Sequence, residues 1–169
     1  MSGEIINRVA NSKLVTLDLE DFYPKEPRIV LDIKDWLYQG LILKEQEFRQ
    51  HVEQHQWDQY KDTFVALTCS VDAIIPSWAY MLLTTKLATY AKLVIVGDLI
   101  ALETAIFQNI INNMTVEEYT DKPIIIKGCS NKSIPESAYV MLISKLQPVA
   151  KSIMFGEACS TVPLFKRKK

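Results

Sequence analysis

The sequence predicts an α/β protein: a three-layer domain with a mostly parallel sheet, an internal βα repeat and an N-terminal edge strand. Two observations carry this. Short apolar runs of strand length alternate with longer segments of helical periodicity, the pattern of crossover units feeding a parallel sheet. The later part of that pattern also repeats the earlier part at an offset of 59 residues, which lays Pro76 on Pro135. Repeats of this length are built from one supersecondary element apiece.

At that offset Pro76, Ala79, Tyr80, Leu83, Lys86, Leu87, Ala91, Lys92 and Gly97 are each met by an identical residue, nine of the 23 positions from Pro76 to Asp98. Asp98 meets Glu157. Upstream, Phe48, Tyr60 and Asp62 fall on Phe107, Tyr119 and Asp121, and Cys69-Ser70 meets Cys129-Ser130 after a one-residue shift. The duplication spans about residues 40–98 and 99–157, within a single domain of residues 1–169.

In chain order, residues 13–22, with Leu14-Val15-Thr16-Leu17-Asp18-Leu19, read as a strand, which Pro24 to Pro27 would turn back as an antiparallel edge. Arg28 to Ile33 forms the next strand and Lys44 to Gln56 a helix. Phe64-Val65-Ala66-Leu67-Thr68 and its mate Ile124-Ile125-Ile126-Lys127 are mainly apolar, as buried strands are. Pro76 and Pro135 suit a helix start, where a missing N–H costs nothing. Residues 77–91 and 136–150 then carry apolar side chains at helical spacing, with Pro148 shortening or kinking the second. Val94-Ile95-Val96 and Ile153-Met154-Phe155 are further strands, and Leu99 to Asn112 is the helix between the copies.

Composition narrows the function. A formal charge of −1 and a pI of about 6.1 exclude a dedicated nucleic-acid binder, which needs a basic face against phosphates. Hydrophobic residues at 49% and charged residues at 23% exclude a disordered chain. The N-terminus lacks the apolar run of a secretory signal, and no stretch approaches the length of a membrane span. A cytoplasmic protein with no membrane partner is the expectation.

The cysteines are the candidate chemistry. Three of them, Cys69, Cys129 and Cys159, are an odd count, suited to free thiols or a metal site and not to a disulfide framework. In one parallel sheet all strand C-termini share a rim, the edge at which open α/β sheets bind ligands. Cys69 and Cys129 follow equivalent strands, Cys159 lies two residues past Glu157, and Asp98 and Glu157 hold equivalent places. Three thiolates and a carboxylate could hold zinc, or an iron–sulfur cluster with one non-cysteine ligand. The same cysteines could equally be small apolar residues filling strand ends. A nucleophilic Cys69 is a third reading, weakened by the want of a base and of a glycine-rich or Arg-bearing loop, so a non-enzymatic role is favoured over an enzymatic one.

Other motifs carry less. His51 and His55, four apart on one helix, fit no zincin order and sit among Gln, Glu and Asp, as an exposed polar face would. Trp36, Trp57, Trp78, Tyr80 and Tyr139 lack the interleaved basic residues of a base-stacking surface. Asp18, Glu20 and Asp21 lack the glycine turn of a calcium loop, and five glycines in all offer no nucleotide fingerprint.

Ala10-Asn11-Ser12-Lys13-Leu14-Val15-Thr16-Leu17-Asp18-Leu19, Asp32-Ile33-Lys34-Asp35-Trp36-Leu37 and Gly156-Glu157-Ala158-Cys159-Ser160-Thr161-Val162-Pro163, taken with both Cys-Ser loops, resemble the bacterial domain-of-unknown-function family 2480 from end to end. The resemblance implies a soluble, stand-alone bacterial protein with no catalytic residues to carry over. It also implies a link to sulfur-mobilisation iron–sulfur assembly genes, which favours a thiolate or cluster-related role and the assembly machinery as protein partner. The expected function is therefore a zinc or iron–sulfur site of Cys69, Cys129 and Cys159 with Glu157 or Asp98, in an accessory of iron–sulfur assembly or sulfur handling. A non-catalytic protein-interaction scaffold with structural cysteines is the alternative.

Overall fold

The computed structural model describes residues 14–128, 131–157 and 159–168. Among the described residues, four helices and seven strands follow in the order β1 (Val15–Leu17), β2 (Arg28–Asp32), α1 (Glu45–Gln54), β3 (Phe64–Thr68), α2 (Ser77–Leu87), β4 (Leu93–Val96), α3 (Leu99–Asn113), β5 (Pro123–Ile126), α4 (Glu136–Leu146), β6 (Ser152–Glu157) and β7 (Ser160–Lys166). The α/β class, the mostly parallel strands, the repeat and the N-terminal edge strand are all present.

The strands do not form one sheet. They make a sheet of order β2-β3-β4 and another of order β1-β5-β6-β7. Alternation of strand and helix is identical for one long sheet or two short ones, so the sequence pattern alone does not separate them. Two compact units accompany the sheets: Pro24–Phe107, and Met1–Tyr23 with Gln108–Lys169, the division falling inside α3. The first unit is thus inserted in the chain after the opening strand of the second.

Each unit has the same path, strand-helix-strand-helix-strand, with its three parallel strands side by side in chain order. Right-handed crossovers stepping in one direction deliver both helices to one face. In the inserted unit that face is the core. Phe48 and Val52 of α1 and Ala79, Leu83 and Leu87 of α2 pack with Leu31, Val65 and Leu67 of the strands. The outer unit buries the counterparts of the α2 stripe, Ala138, Leu142 and Leu146.

The repeat extends to hydrogen bonds. Asp62 and Asp121 both adopt φ 57°, a left-handed conformation that Asp tolerates in turns. Their N–H groups donate to the carbonyls of Tyr90 and Val149 respectively, joining the start of one strand to the end of the next helix. The buried Tyr60 and Tyr119 each precede this turn. At the other end of the strands, Gly97 and Gly156 have φ 148° and 122°. A Cβ on Gly97 would lie 2.8 Å from that of Ala101, and one on Gly156 would lie 2.5 Å from the backbone carbonyl of Ser160. These contacts explain why the repeat keeps glycine at both places.

The N-terminal strand is an edge strand, but it runs parallel to β5, with Val15 opposite Ile124, and not antiparallel as the prolines suggested. A parallel partner is available because the whole inserted unit and α3 lie between the two, far more than the length a parallel crossover needs. Leu19–Phe22, read as continuing that strand, forms a 3₁₀ turn. The helices α2 and α4 stop at Leu87 and Leu146, four residues short of the predicted ends. β7 lies outside the strands that the sequence pattern predicts. Its Pro163 argues against a strand interior, yet an edge strand accepts proline on its unpaired side, and β7 is the antiparallel edge of its sheet.

Gly156→Ala is expected to destabilise the protein by about 2–3 kcal/mol and Gly97→Ala by about 1–2 kcal/mol, because the first clash is with backbone and the second with one methyl group. Urea unfolding midpoints of the two variants measure the difference.

Candidate functional site

The candidate site is the set of loops at the C-terminal ends of β2, β3 and β4. Parallel pairing brings them to one rim, with Asp32 opposite Thr68 and Leu67 opposite Val96. Asp32 organises it. Its Oδ1 accepts the backbone N–H groups of Lys34 and Ser70, each at 3.1 Å, and its Oδ2 accepts the Ser70 hydroxyl at 2.5 Å. Burial pushes the Asp32 carboxyl up. The Ser70 hydroxyl, the two backbone N–H groups and the Lys34 charge outweigh burial and hold it below its ordinary 3.8.

Cys69 stands beside this anchor, half-buried, its Sγ 3.8 Å from the Val71 carbonyl. Tyr80, in the first turn of α2, has its hydroxyl pushed up by burial and then by the negative charges of Cys69 and Asp32. The inserted unit therefore gathers a carboxylate, a serine hydroxyl, a thiol and a phenol. Asp98 lies on the same rim but is occupied as the cap of α3: its Oδ1 accepts the Ala101 N–H at 2.8 Å.

The outer unit repeats the anchor at Asp18. Asp18 follows β1 directly, as Asp32 closes β2, and its Oδ1 accepts the Glu20 N–H at 2.9 Å. Its Oδ2 receives the Lys127 ammonium at 2.8 Å. Burial raises the Asp18 carboxyl, but Lys127 and the Glu20 N–H more than reverse this. Asp18 raises Lys127 in turn, with smaller contributions from Glu157 and Asp21. Glu157 closes β6 opposite Ser160, and Cys159 lies exposed at the tip of the β6–β7 hairpin.

The predicted ligands thus fall in two sets. Cys69 and Asp98 belong to the sheet β2-β3-β4, Glu157 and Cys159 to the sheet of β6, and Cys129 lies outside the described residues. The single rim that was to unite them assumed one continuous sheet, and there are two. Among the described residues no group of three or more His, Cys, Asp or Glu side chains could hold a metal ion.

The histidines are part of an aromatic cluster. His51 stacks on Trp36 with centroids 5.8 Å apart, and His55 meets Trp36 and Trp57 edge-on. His55 Nε2 is 2.8 Å from the Tyr60 hydroxyl, and burial holds its pKa below 6.5. His51 is exposed, as a polar helix face predicts, but His55 is half-buried.

The same rim displays apolar side chains to solvent. Leu41 and Ile42 protrude from the β2–α1 loop, Ile74 from the β3–α2 loop at 93% exposure, and Val96, Leu99 and Ile100 from the end of β4 and the start of α3. A tight turn with Gln39 at φ 52° and Gly40 at φ 71° presents the first pair. Among the described residues, the rim of the outer unit exposes two large apolar side chains, Phe22 and, opposite Phe155, Val162. Two signals point to this arrangement in the sequence: the isolated Ile74-Ile75 and Leu99-Ile100 pairs beside turn residues, and the Asp at the end of each first strand.

Fold and rim define an α/β protein made by duplication, two strand-helix-strand-helix-strand units on one chain, with a decorated C-terminal rim on the inserted copy. The chain belongs to a family described as a protein of unknown function (DUF2480), which matches residues 3–167. No curated protein and no solved structure matches it. Among the described residues no helix is long and apolar enough to cross a membrane.

Removing the anchor is the direct test of the site's construction. Asp32→Ala is expected to cost about 1–2 kcal/mol and to accelerate amide exchange at Ser70. Because the folded-state pKa of Asp32 is depressed, its stabilisation is present above about pH 3.8 and is lost as pH falls through the folded value. The stability gap between wild type and Asp32→Asn therefore narrows on acidification, as urea titrations at pH 7 and pH 3 will measure.

Proposed function

We propose that the protein is an interaction module whose working surface is the apolar rim of the sheet β2-β3-β4. One observation carries the reading: six large apolar side chains stand exposed on three adjacent loops. A fold requirement does not account for them, since the sister unit follows the same path and, among the described residues, exposes Phe22 and Val162 at its rim. Leaving such side chains in water is unfavourable by roughly 25 cal/mol per Å² of apolar surface, and concentrated patches of this kind mark contact surfaces. The Asp32–Ser70 hydrogen bonds supply what such a surface needs, two loops held in fixed relation before a partner arrives.

Ile74→Ser combined with Ile100→Ser tests it. Both side chains are exposed, so folding stability should stay within about 0.5 kcal/mol of wild type. Affinity capture from the native extract is expected to lose proteins that the wild-type chain retains. An identical set of retained proteins would remove the interaction reading.

A second reading keeps the thiols as ligands, with zinc or an iron–sulfur cluster on Cys69, Cys129 and Cys159 and an accessory role in iron–sulfur assembly or sulfur handling. Its support is the position of Cys69, a free, half-exposed thiol just past the end of β3. Anaerobically purified protein should then contain stoichiometric zinc or iron, lost in Cys69→Ser/Cys129→Ser. Metal-free protein by elemental analysis would exclude this reading.

A further inference from the structure

The charges around the apolar rim carry the reading to the kind of partner. Its lysines are already answered: Lys34 lies 3.9 Å from Asp32 and Lys44 lies 3.3 Å from Glu47. Asp35, Asp72 and Asp98 are exposed on the same three loops that present the apolar side chains. Among the described residues none of these three has an ion-pair partner. Each loop thus carries an apolar group and a carboxylate with no cation against it: Asp35 with Leu41 and Ile42, Asp72 with Ile74, and Asp98, which also caps α3, with Leu99 and Ile100.

We propose that this rim docks an amphipathic segment of another protein that is apolar on one face and flanked by Lys or Arg. The inference rests on the interaction reading above and adds the chemistry of the partner. Apolar anchors supply the contact, while the three carboxylates select a cationic flank and repel an anionic one. Three adjacent strands set about 4.8 Å apart give a rim about 10 Å across between the outer strands, the width of one helix. The same carboxylates disfavour an anionic lipid surface, which attracts basic clusters.

The test uses the full chain and two labelled helical peptides of about 18 residues, five turns, with the same Leu/Ile face. One has Lys and Arg on its flanks and the other has Glu. Anisotropy titration at low salt is expected to show the cationic peptide binding at least roughly tenfold tighter, a preference weakened by salt. Asp35→Asn/Asp72→Asn/Asp98→Asn should abolish the preference; Asn still caps α3, so folding is preserved. Ile74→Ser/Ile100→Ser should abolish binding of both peptides.

Equal binding of the two peptides, or binding of neither, overturns the cationic-segment inference and leaves the interaction reading to its own capture experiment. A preference that persists in the triple Asn variant also overturns it. So does Ile74- and Ile100-dependent binding to anionic phosphatidylserine vesicles, or a dimer seen by sedimentation that Ile74→Ser/Ile100→Ser dissolves, which would assign the rim to lipid or to a second copy.

Discussion

A fully buried stripe, Ala79, Leu83 and Leu87 in α2 and Ala138, Leu142 and Leu146 in α4, fixes the position of everything else in each unit. Alanine at the first position lets the helix approach the strands near its start, and the two leucines fill the space one and two turns on. A helix held this way pins the loop that enters it, and those loops form the rim. The proline before each helix completes the device. It leaves the first turn without a side-chain cap, but it sets the entering backbone at φ −67° and −68°, so the two loops arrive alike.

The fold was largely legible because duplication writes the same constraints twice. Tyr60 and Tyr119, Asp62 and Asp121, Gly97 and Gly156 coincide in sequence because each pair serves one backbone purpose, a buried ring, a left-handed turn and a close approach. What the pattern could not convey was strand neighbourhood. β1 pairs with β5 and not with the adjacent β2, and nothing local to Val15-Thr16-Leu17 distinguishes those partners. That omission produced the single rim on which the five-residue ligand set depended. The site was legible only in fragments. The strand pattern places Cys69 at the rim, whereas the hydrogen bonds of Asp32 to Ser70, 38 positions away, are not written in it.

The two copies have kept their scaffold and parted at their loops. Asp18 and Asp32 each accept a backbone N–H two residues on, and Asp18 also meets Lys127 while Asp32 also meets Ser70. In the inserted copy the paired bonds to Ser70 fix a backbone beside the apolar display. Its carboxylates Asp72 and Asp98 also lie beside exposed isoleucines, which keeps the patch hydrated in the unbound protein.

The nesting of one unit within the other has a consequence for biosynthesis. Val15 needs Ile124 as its neighbour, so the outer sheet cannot close until β5 has left the ribosome. The strands and both crossover helices of the inserted unit are contiguous, from Arg28 to Val96, and are translated earlier. The nascent chain therefore matures from its middle outward: the inserted sheet gains its native neighbours first, while β1 stays exposed as an unpaired edge and is open to capture by a chaperone.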